Sequence, residues 1–158
     1  MSGIEDSETF KVGKETEAYI IAKLRDIGYT VTDISMEQLE NSKGVLYYSH
    51  FDIYAEFKIG RRSYSFLADV KMRTRGRANF WIEQWKVKEY IDYNKMTADD
   101  KIVIFVTPKR PDCYMSVDDI QACYTLGPWY FIERHQTDTV VGLRKKLEST
   151  YTEYLTDD

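Results

Sequence analysis

Asp52, Asp69 and Lys71, in the middle of this 158-residue sequence, have the types and spacing to do chemistry together. They fall in two segments, 51–58 and 63–71, that alternate apolar and polar residues with the period of β-strands. Ile59-Gly60-Arg61-Arg62 joins them, and a two-residue turn at Gly60-Arg61 sets Asp52 opposite Asp69, with Lys71 on the same face one pleat further. The predicted core face gathers Phe51, Ile53, Ala55 and Phe57 with Tyr64, Phe66, Ala68 and Val70, while the other carries Asp52, Tyr54, Glu56 and Lys58 with Leu67, Asp69 and Lys71. Facing carboxylates repel. A hard divalent cation relieves that repulsion, and Mg²⁺ commonly takes one or two carboxylates together with water and phosphate oxygens. A lysine beside it is placed to orient or deprotonate a nucleophile, or to offset charge on a phosphorus transition state. The competing reading is a solvated sheet face on which Lys71 simply neighbours Asp69.

The elements that must hold these residues are legible in outline. Residues 12–27 read as a helix with Ile20, Ile21, Leu24 and Ile27 on one side, stopped by Gly28. Glu17 extends that stripe by one turn, so a carboxylate is expected toward the core, or else at the helix N-terminus, where the macrodipole favours it. Tyr29–Ile34 reads as a strand; 35–49 reads as a helical turn near Met36–Leu39 and then a loop at Asn41–Gly44. Asn79 is placed to cap a helix running to about Asn94, with Phe80, Gln84, Val87 and Ile91 on its buried face. Lys101–Thr107 is nearly all apolar and ends at Pro108, as a central parallel strand does. Ser116 with Asp119 signals a short capped helix, Trp129–Glu133 a strand, and Leu143, Leu147, Tyr151 and Tyr154 a C-terminal helix. The fold class expected is α/β, a mixed central sheet flanked by helices in α-β-β-β-α-β order. A flexible N-terminus over 1–11 precedes one domain over 12–158, whose core is 12–107 with additional α/β elements over 108–158.

Gly13, Glu17, Gly28-Tyr29, Asp52 and Asp69-Val70-Lys71 together resemble the PD-(D/E)XK nuclease superfamily, and among its members the archaeal-type Holliday junction resolvases. The resemblance covers about residues 13–107 and implies a restriction-endonuclease-like core. It implies that Glu17, Asp52 and Asp69, with the Val70 carbonyl, surround Mg²⁺ (Mn²⁺ as a substitute), and that Lys71 is the motif lysine. Gln84 is then the polar residue that similar nucleases carry near the metal on the following helix; its other reading is a buried glutamine bonded to backbone. Two features depart from the pattern: 35–49 is an insertion, and Asp69 stands where glutamate is commoner. The expectation is a metal-dependent DNA endonuclease, structure-specific in the manner of a Holliday junction resolvase. The alternatives are a compact sequence-recognising homing or restriction-type enzyme, and a non-catalytic nucleic-acid-binding protein on the same fold. A homodimer is expected, since two strands need two sites.

Composition narrows the classes further. The formal charge is −4, from 22 basic and 26 acidic residues. Its distribution is uneven: residues 1–57 hold 5 bases and 11 acids, 58–110 hold 13 and 6, and 111–158 hold 4 and 9. Within the basic third, Arg73, Arg75 and Arg77 follow the Asp69–Lys71 strand directly, where guanidinium groups suit phosphate oxygens. Arg61 and Arg62 at the hairpin tip, with Lys86 and Lys88, extend the expected DNA-binding set; for each alone, a solvated surface charge is the competing reading. Tyr47, Tyr48 and Tyr54 are candidates for stacking on bases or for packing. Two cysteines, Cys113 and Cys123, and two histidines, His50 and His135, exclude a multi-histidine or all-cysteine metal centre and fit reduced thiols in a cytoplasmic protein. No apolar run reaches the ~18 residues of a membrane span.

Overall fold

In the computed structural model, which describes residues 8–73, 79–94 and 96–156, the stripe of Ile20 and Leu24 belongs to α1 (Glu8–Asp26). The helix thus begins before Val12, and residues 8–11, expected to fray, are its first turn. Gly28 ends it as expected: its φ of +116° lies where a side chain is strained, and the Leu147 methyl would meet an added Cβ at 3.1 Å. The strands are β1 (Thr30–Asp33), β2 (Gln38–Glu40), β3 (Leu46–Tyr48), β4 (Ile53–Ile59), β5 (Arg62–Met72), β6 (Asn79–Glu83), β7 (Asp100–Val106), β8 (Cys113–Ser116), β9 (Tyr124–Leu126), β10 (Trp129–Glu133) and β11 (Asp138–Thr139). Three further helices are α2 (Gln84–Asp92), α3 (Val117–Gln121) and α4 (Leu143–Thr156).

The six-stranded main sheet runs β1-β4-β5-β7-β8-β11. β5 and β7 pair in parallel and every other neighbouring pair is antiparallel, so the sheet is mixed, with the apolar β7 central. The Gly60-Arg61 turn, with Gly60 at φ 57°, gives the predicted register, from Ile53 opposite Ala68 to Ile59 opposite Arg62. α1 and α4 cover one face over Ile53, Ala55, Phe66, Ala68, Ile102 and Ile104. The other face is buried too: Leu67, Val103 and Phe105 lie under α2, α3 and the small sheet β6-β10-β9. Residues 108–156 are therefore woven into the core, supplying two strands to the main sheet and two to the small one.

Three expectations fail for identifiable reasons. Phe51 leaves the face of Ile53 and packs with Leu67 and Tyr90, because the chain bends at Asp52 and the ladder starts only at Ile53. Asn79 caps no helix: 79–83 is a strand that pairs along β10, with Trp81 against Phe131, and α2 starts at Gln84. The 35–49 segment forms no helical turn but a β2–β3 hairpin standing as its own sheet.

α1 is tied to the far side of the core by one buried carboxylate. Asp112, 5% exposed, accepts from the Tyr19 hydroxyl and from Lys23 Nζ, both at 2.7 Å. Removing that acceptor leaves the mostly buried Lys23 ammonium without its counter-charge, whereas the Tyr19 hydroxyl, on a side chain 50% exposed, can turn to water. Asp112→Ala is expected to cost about 3 kcal/mol of unfolding free energy in urea denaturation, and Asp112→Asn, which keeps one acceptor, distinctly less.

Candidate active site

Asp52 sits in the bend that precedes β4, and its side chain finishes what the backbone ladder begins. Its own N–H donates to the Ala68 carbonyl at 2.9 Å, and one carboxylate oxygen accepts the Val70 N–H at 2.8 Å. The carboxylate thus occupies the position of the next ladder carbonyl, which fixes it beside Asp69. Burial pushes the Asp52 pKa well above the usual carboxylate range; the Asp69 carboxylate and then Glu17 push it further, and the Val70 N–H opposes them.

Asp69 is 8% exposed and lies between two donors. Lys71 Nζ is 3.2 Å from its Oδ2, and the Tyr90 hydroxyl donates to the same oxygen. Burial, Asp69, Asp52 and Glu83 raise the Tyr90 pKa far above its ordinary value, so the phenol stays a donor. Tyr90 is in turn held from both sides. Its ring packs on Phe51 with centroids 5.1 Å apart, and Lys101 from β7 donates to the carbonyls of Tyr90, Ile91 and Tyr93 at 2.9, 3.0 and 2.5 Å. Those carbonyls lie at the C-terminal end of α2, where helix carbonyls lack their full set of partners, and the Tyr90 carbonyl also accepts the Tyr93 N–H at 3.3 Å. Sequence reasoning missed Tyr90. The available signal was its place three residues after Val87 on a buried face, where a tyrosine hydroxyl needs an acceptor.

Glu17 reaches the site from α1, close enough to act on Asp52, but its carboxylate bonds Lys14 Nζ at 3.1 Å. Lys14 also donates to the Ser35 hydroxyl, which donates to Asp33 at 2.6 Å. Among the described residues no group of three or more His, Cys, Asp or Glu side chains is spaced to hold a metal ion. The expected three-acid cluster is thus not assembled, and Asp52 with Asp69 form the convergent pair. Two hard oxygen donors, one of them driven toward its neutral form by the other, suit a divalent cation.

The other candidates separate. As the first residue of α2, Gln84 donates to the Gly127 carbonyl at 2.9 Å, so it is backbone-bonded as its other reading expected, but half-buried instead of buried. The late helix start moves the buried face to Val87 and Tyr90 and leaves Ile91 39% exposed. Lys86 is on the Tyr90 side of α2, 5.6 Å from that ring and 3.8 Å from Glu89. Lys88 is exposed beside Gln84 and Trp85. Arg61 and Arg62 lie at the opposite end of the hairpin from Asp52, seven residues of strand or about 23 Å away. That distance removes them from the carboxylates. Arg73 donates to the carbonyls of Met72 and Trp81, at 3.2 and 3.4 Å. Arg75 and Arg77 lie outside the described residues.

With this geometry, the chain is similar in structure to the Holliday junction resolvase of the archaeal hyperthermophile Archaeoglobus fulgidus: TM-score 0.60, 14% identity, over 85% of this chain and 96% of that one. It is also similar to D212, a nuclease from a fusselovirus, with TM-score 0.54 and 14% identity over 90% and 92% of the two chains. At this identity the likeness establishes the fold alone, a mixed sheet flanked by helices shared with these two solved nucleases. No protein-family model matches the sequence, and no curated protein matches it.

The Asp52 shift has a direct consequence for stability. An acid whose folded-state pKa lies above its ordinary 3.8 stabilises the fold fully below that value, and the contribution is lost as pH rises through the raised pKa. Asp52→Asn is neutral throughout. Without added metal it is expected to flatten this pH dependence between pH 4 and 8 and to raise the thermal midpoint at pH 7 by about 2–4 °C per kcal/mol relieved. Calorimetric melts across that range check it.

Proposed function

We propose that the chain is a metal-dependent DNA endonuclease that hydrolyses phosphodiester bonds at Asp52, Asp69 and Lys71. The observation that carries this reading is the buried Asp52–Asp69 pair with an ammonium 3.2 Å away. On the fold of known nucleases, that pairing serves phosphate chemistry better than it serves the stability of a sheet. Asp52 and Asp69 would hold Mg²⁺ or Mn²⁺, with the Val70 carbonyl and Glu17 as further oxygen donors once Glu17 leaves Lys14. A cation bound there supplies positive charge that favours ionisation of water and steadies charge gathering on phosphorus.

The chain's own groups do the rest. Lys71 places a second positive charge beside Asp69, where it attracts a phosphate oxygen and stabilises the transition state. Tyr90 keeps Asp69 in one orientation by donating to it, and Lys101 keeps Tyr90 in place by closing the end of α2. Water adds to phosphorus, the scissile P–O bond breaks, and the leaving oxygen takes a proton. A homodimer would present two such sites to two strands, and DNA with a branch is the substrate to which the resolvase likeness points.

The test is Mg²⁺-dependent cleavage of four-way junction, flap, linear and supercoiled DNA. Asp69→Ala and Lys71→Ala are each expected to lower the rate by about 100-fold or more with thermal melting retained. Full activity in either variant overturns the assignment. Cleavage at one sequence irrespective of DNA shape points instead to a restriction-type enzyme, and metal-independent binding without cleavage to a binding protein. Tyr90→Phe is expected to reduce the rate by roughly 10-fold, as loss of one positioning hydrogen bond worth about 1.4 kcal/mol does, with a change in the metal dependence of the rate that a purely structural role would not produce.

A further inference from the structure

The β2–β3 hairpin has two unlike faces. Pairing of Gln38 with Tyr48, Leu39 with Tyr47 and Glu40 with Leu46 places Leu39 and Tyr47 on one side and Leu46 and Tyr48 on the other. The inner side is anchored. Leu39 packs on the core, Tyr47 stacks on His50 with centroids 5.3 Å apart, and the Ser49 N–H closes the base by donating to the Glu37 carbonyl. The tip is fixed by Asn41, whose side chain accepts the N–H groups of Lys43 and Val45. A two-stranded hairpin this short has little stability of its own, so these anchors hold it in one position.

On the outer side β2 presents the polar Gln38 and Glu40, yet from β3 Leu46 is 62% and Tyr48 47% exposed. Nothing in the fold gains from leaving them in water. Tyr48 lies four residues before Asp52, so the two backbones are at most about 14 Å apart. An apolar aromatic strip held rigidly next to the carboxylate pair suits a flat ring. The surroundings exclude a phosphate: Glu37 and Glu40 lie on the hairpin, Glu89 and Asp92 line the roughly 380 Å³ cavity beneath it, and Lys43 at the tip is the hairpin's one base. A nucleobase has π faces and no charge, and it presents a free face only where it is unpaired or unstacked.

We propose that Leu46 and Tyr48, on the outer face of the β2–β3 hairpin, form a stacking platform for an unpaired nucleobase beside the carboxylate pair. The proposal rests on the nuclease reading for its link to cleavage, but base stacking is measurable without cleavage. The probe is single-stranded DNA carrying 2-aminopurine, and a duplex of the same length with the fluorophore paired, each titrated with the full chain in Ca²⁺ in place of Mg²⁺. Quenching of the unpaired fluorophore is expected. In Leu46→Ser/Tyr48→Ser, whose positions are exposed, the melting temperature should be kept, the quench largely lost and single-strand affinity lowered about 10-fold, with duplex affinity changed less than 2-fold. Tyr48→Phe should retain the quench.

Equal quenching in the double variant overturns the platform, as does an equal loss of affinity for duplex and single strand. A switch from dimer to monomer in sedimentation, without change in fluorescence, makes the face a contact between copies and also overturns it. Absence of Mg²⁺-dependent cleavage by the unmodified chain on every substrate overturns the nuclease reading alone and leaves the fluorescence result to decide the platform.

Discussion

Two carboxylates are buried side by side where the central hairpin ends, and most of the surrounding structure is arranged about their repulsion. Burial and then the Asp69 charge disfavour ionisation of Asp52. The chain supplies partial relief from three directions: the Val70 N–H to Asp52, the Lys71 ammonium to Asp69, and the Tyr90 hydroxyl to the same Asp69 oxygen. Relief is incomplete, since Asp52 still titrates well above an ordinary aspartate. A purely structural site would end the repulsion by replacing one acid with its amide, at no cost in hydrogen bonds. Retention of both acids is the kind of local instability that functional sites tolerate.

The pair is held by elements that have no freedom to drift. β5 is paired with β4 as far as Ala68 and with β7 from Phe66 to Met72, so Asp69 and Lys71 are carried by a strand that β7 holds past the end of the hairpin ladder. Asp52 is fixed by two hydrogen bonds that lock a bend onto that strand. On the third side Tyr90 depends on α2, a short helix whose C-terminal carbonyls are gathered by Lys101 from β7. Lys101 thereby connects the sheet to the helix that orients the site, though it touches neither carboxylate. A constellation carried by strands and by a capped helix keeps its geometry better than one carried by loops.

What the sequence disclosed follows from the range of the interactions involved. The 53–72 hairpin was legible because alternation and a Gly-containing two-residue turn are local, and because burial of one face allows a single register. β7 was legible because a strand covered on both faces is apolar throughout. The 79–83 strand was not, because its partner β10 lies about fifty residues later, and Phe80, Gln84, Val87 and Ile91 fit a helical spacing just as well. That error displaced Gln84 onto the buried face and hid Tyr90. The β2–β3 hairpin was invisible for another reason: its strands are three residues each, and β3 is Leu-Tyr-Tyr with no polar alternation to mark it. Glu17 was placed near the core correctly, but a stripe cannot show that Lys14, one turn earlier, would hold its carboxylate.

Charge is where the folded chain adds most to the sequence. The middle third carries a local excess of base, yet the structure disperses much of it. Arg61 and Arg62 stand at the far end of the hairpin, Lys101 is used on helix carbonyls, and Arg73 bonds backbone oxygens. Lys71 and Lys86 remain near the carboxylates, each already facing an acid. On the proposed reading, attraction of a phosphodiester to this spot would depend largely on a cation held by Asp52 and Asp69, because a bound dication would invert the local sign. On the hairpin side the acids persist and the surface turns aromatic instead. If the proposed platform and site both hold, a nucleic acid meeting this face would be sorted by its own chemistry, phosphates toward Lys71 on β5 and Lys86 on α2 and uncovered bases toward Leu46 and Tyr48, an orientation that neither net charge nor fold alone would impose.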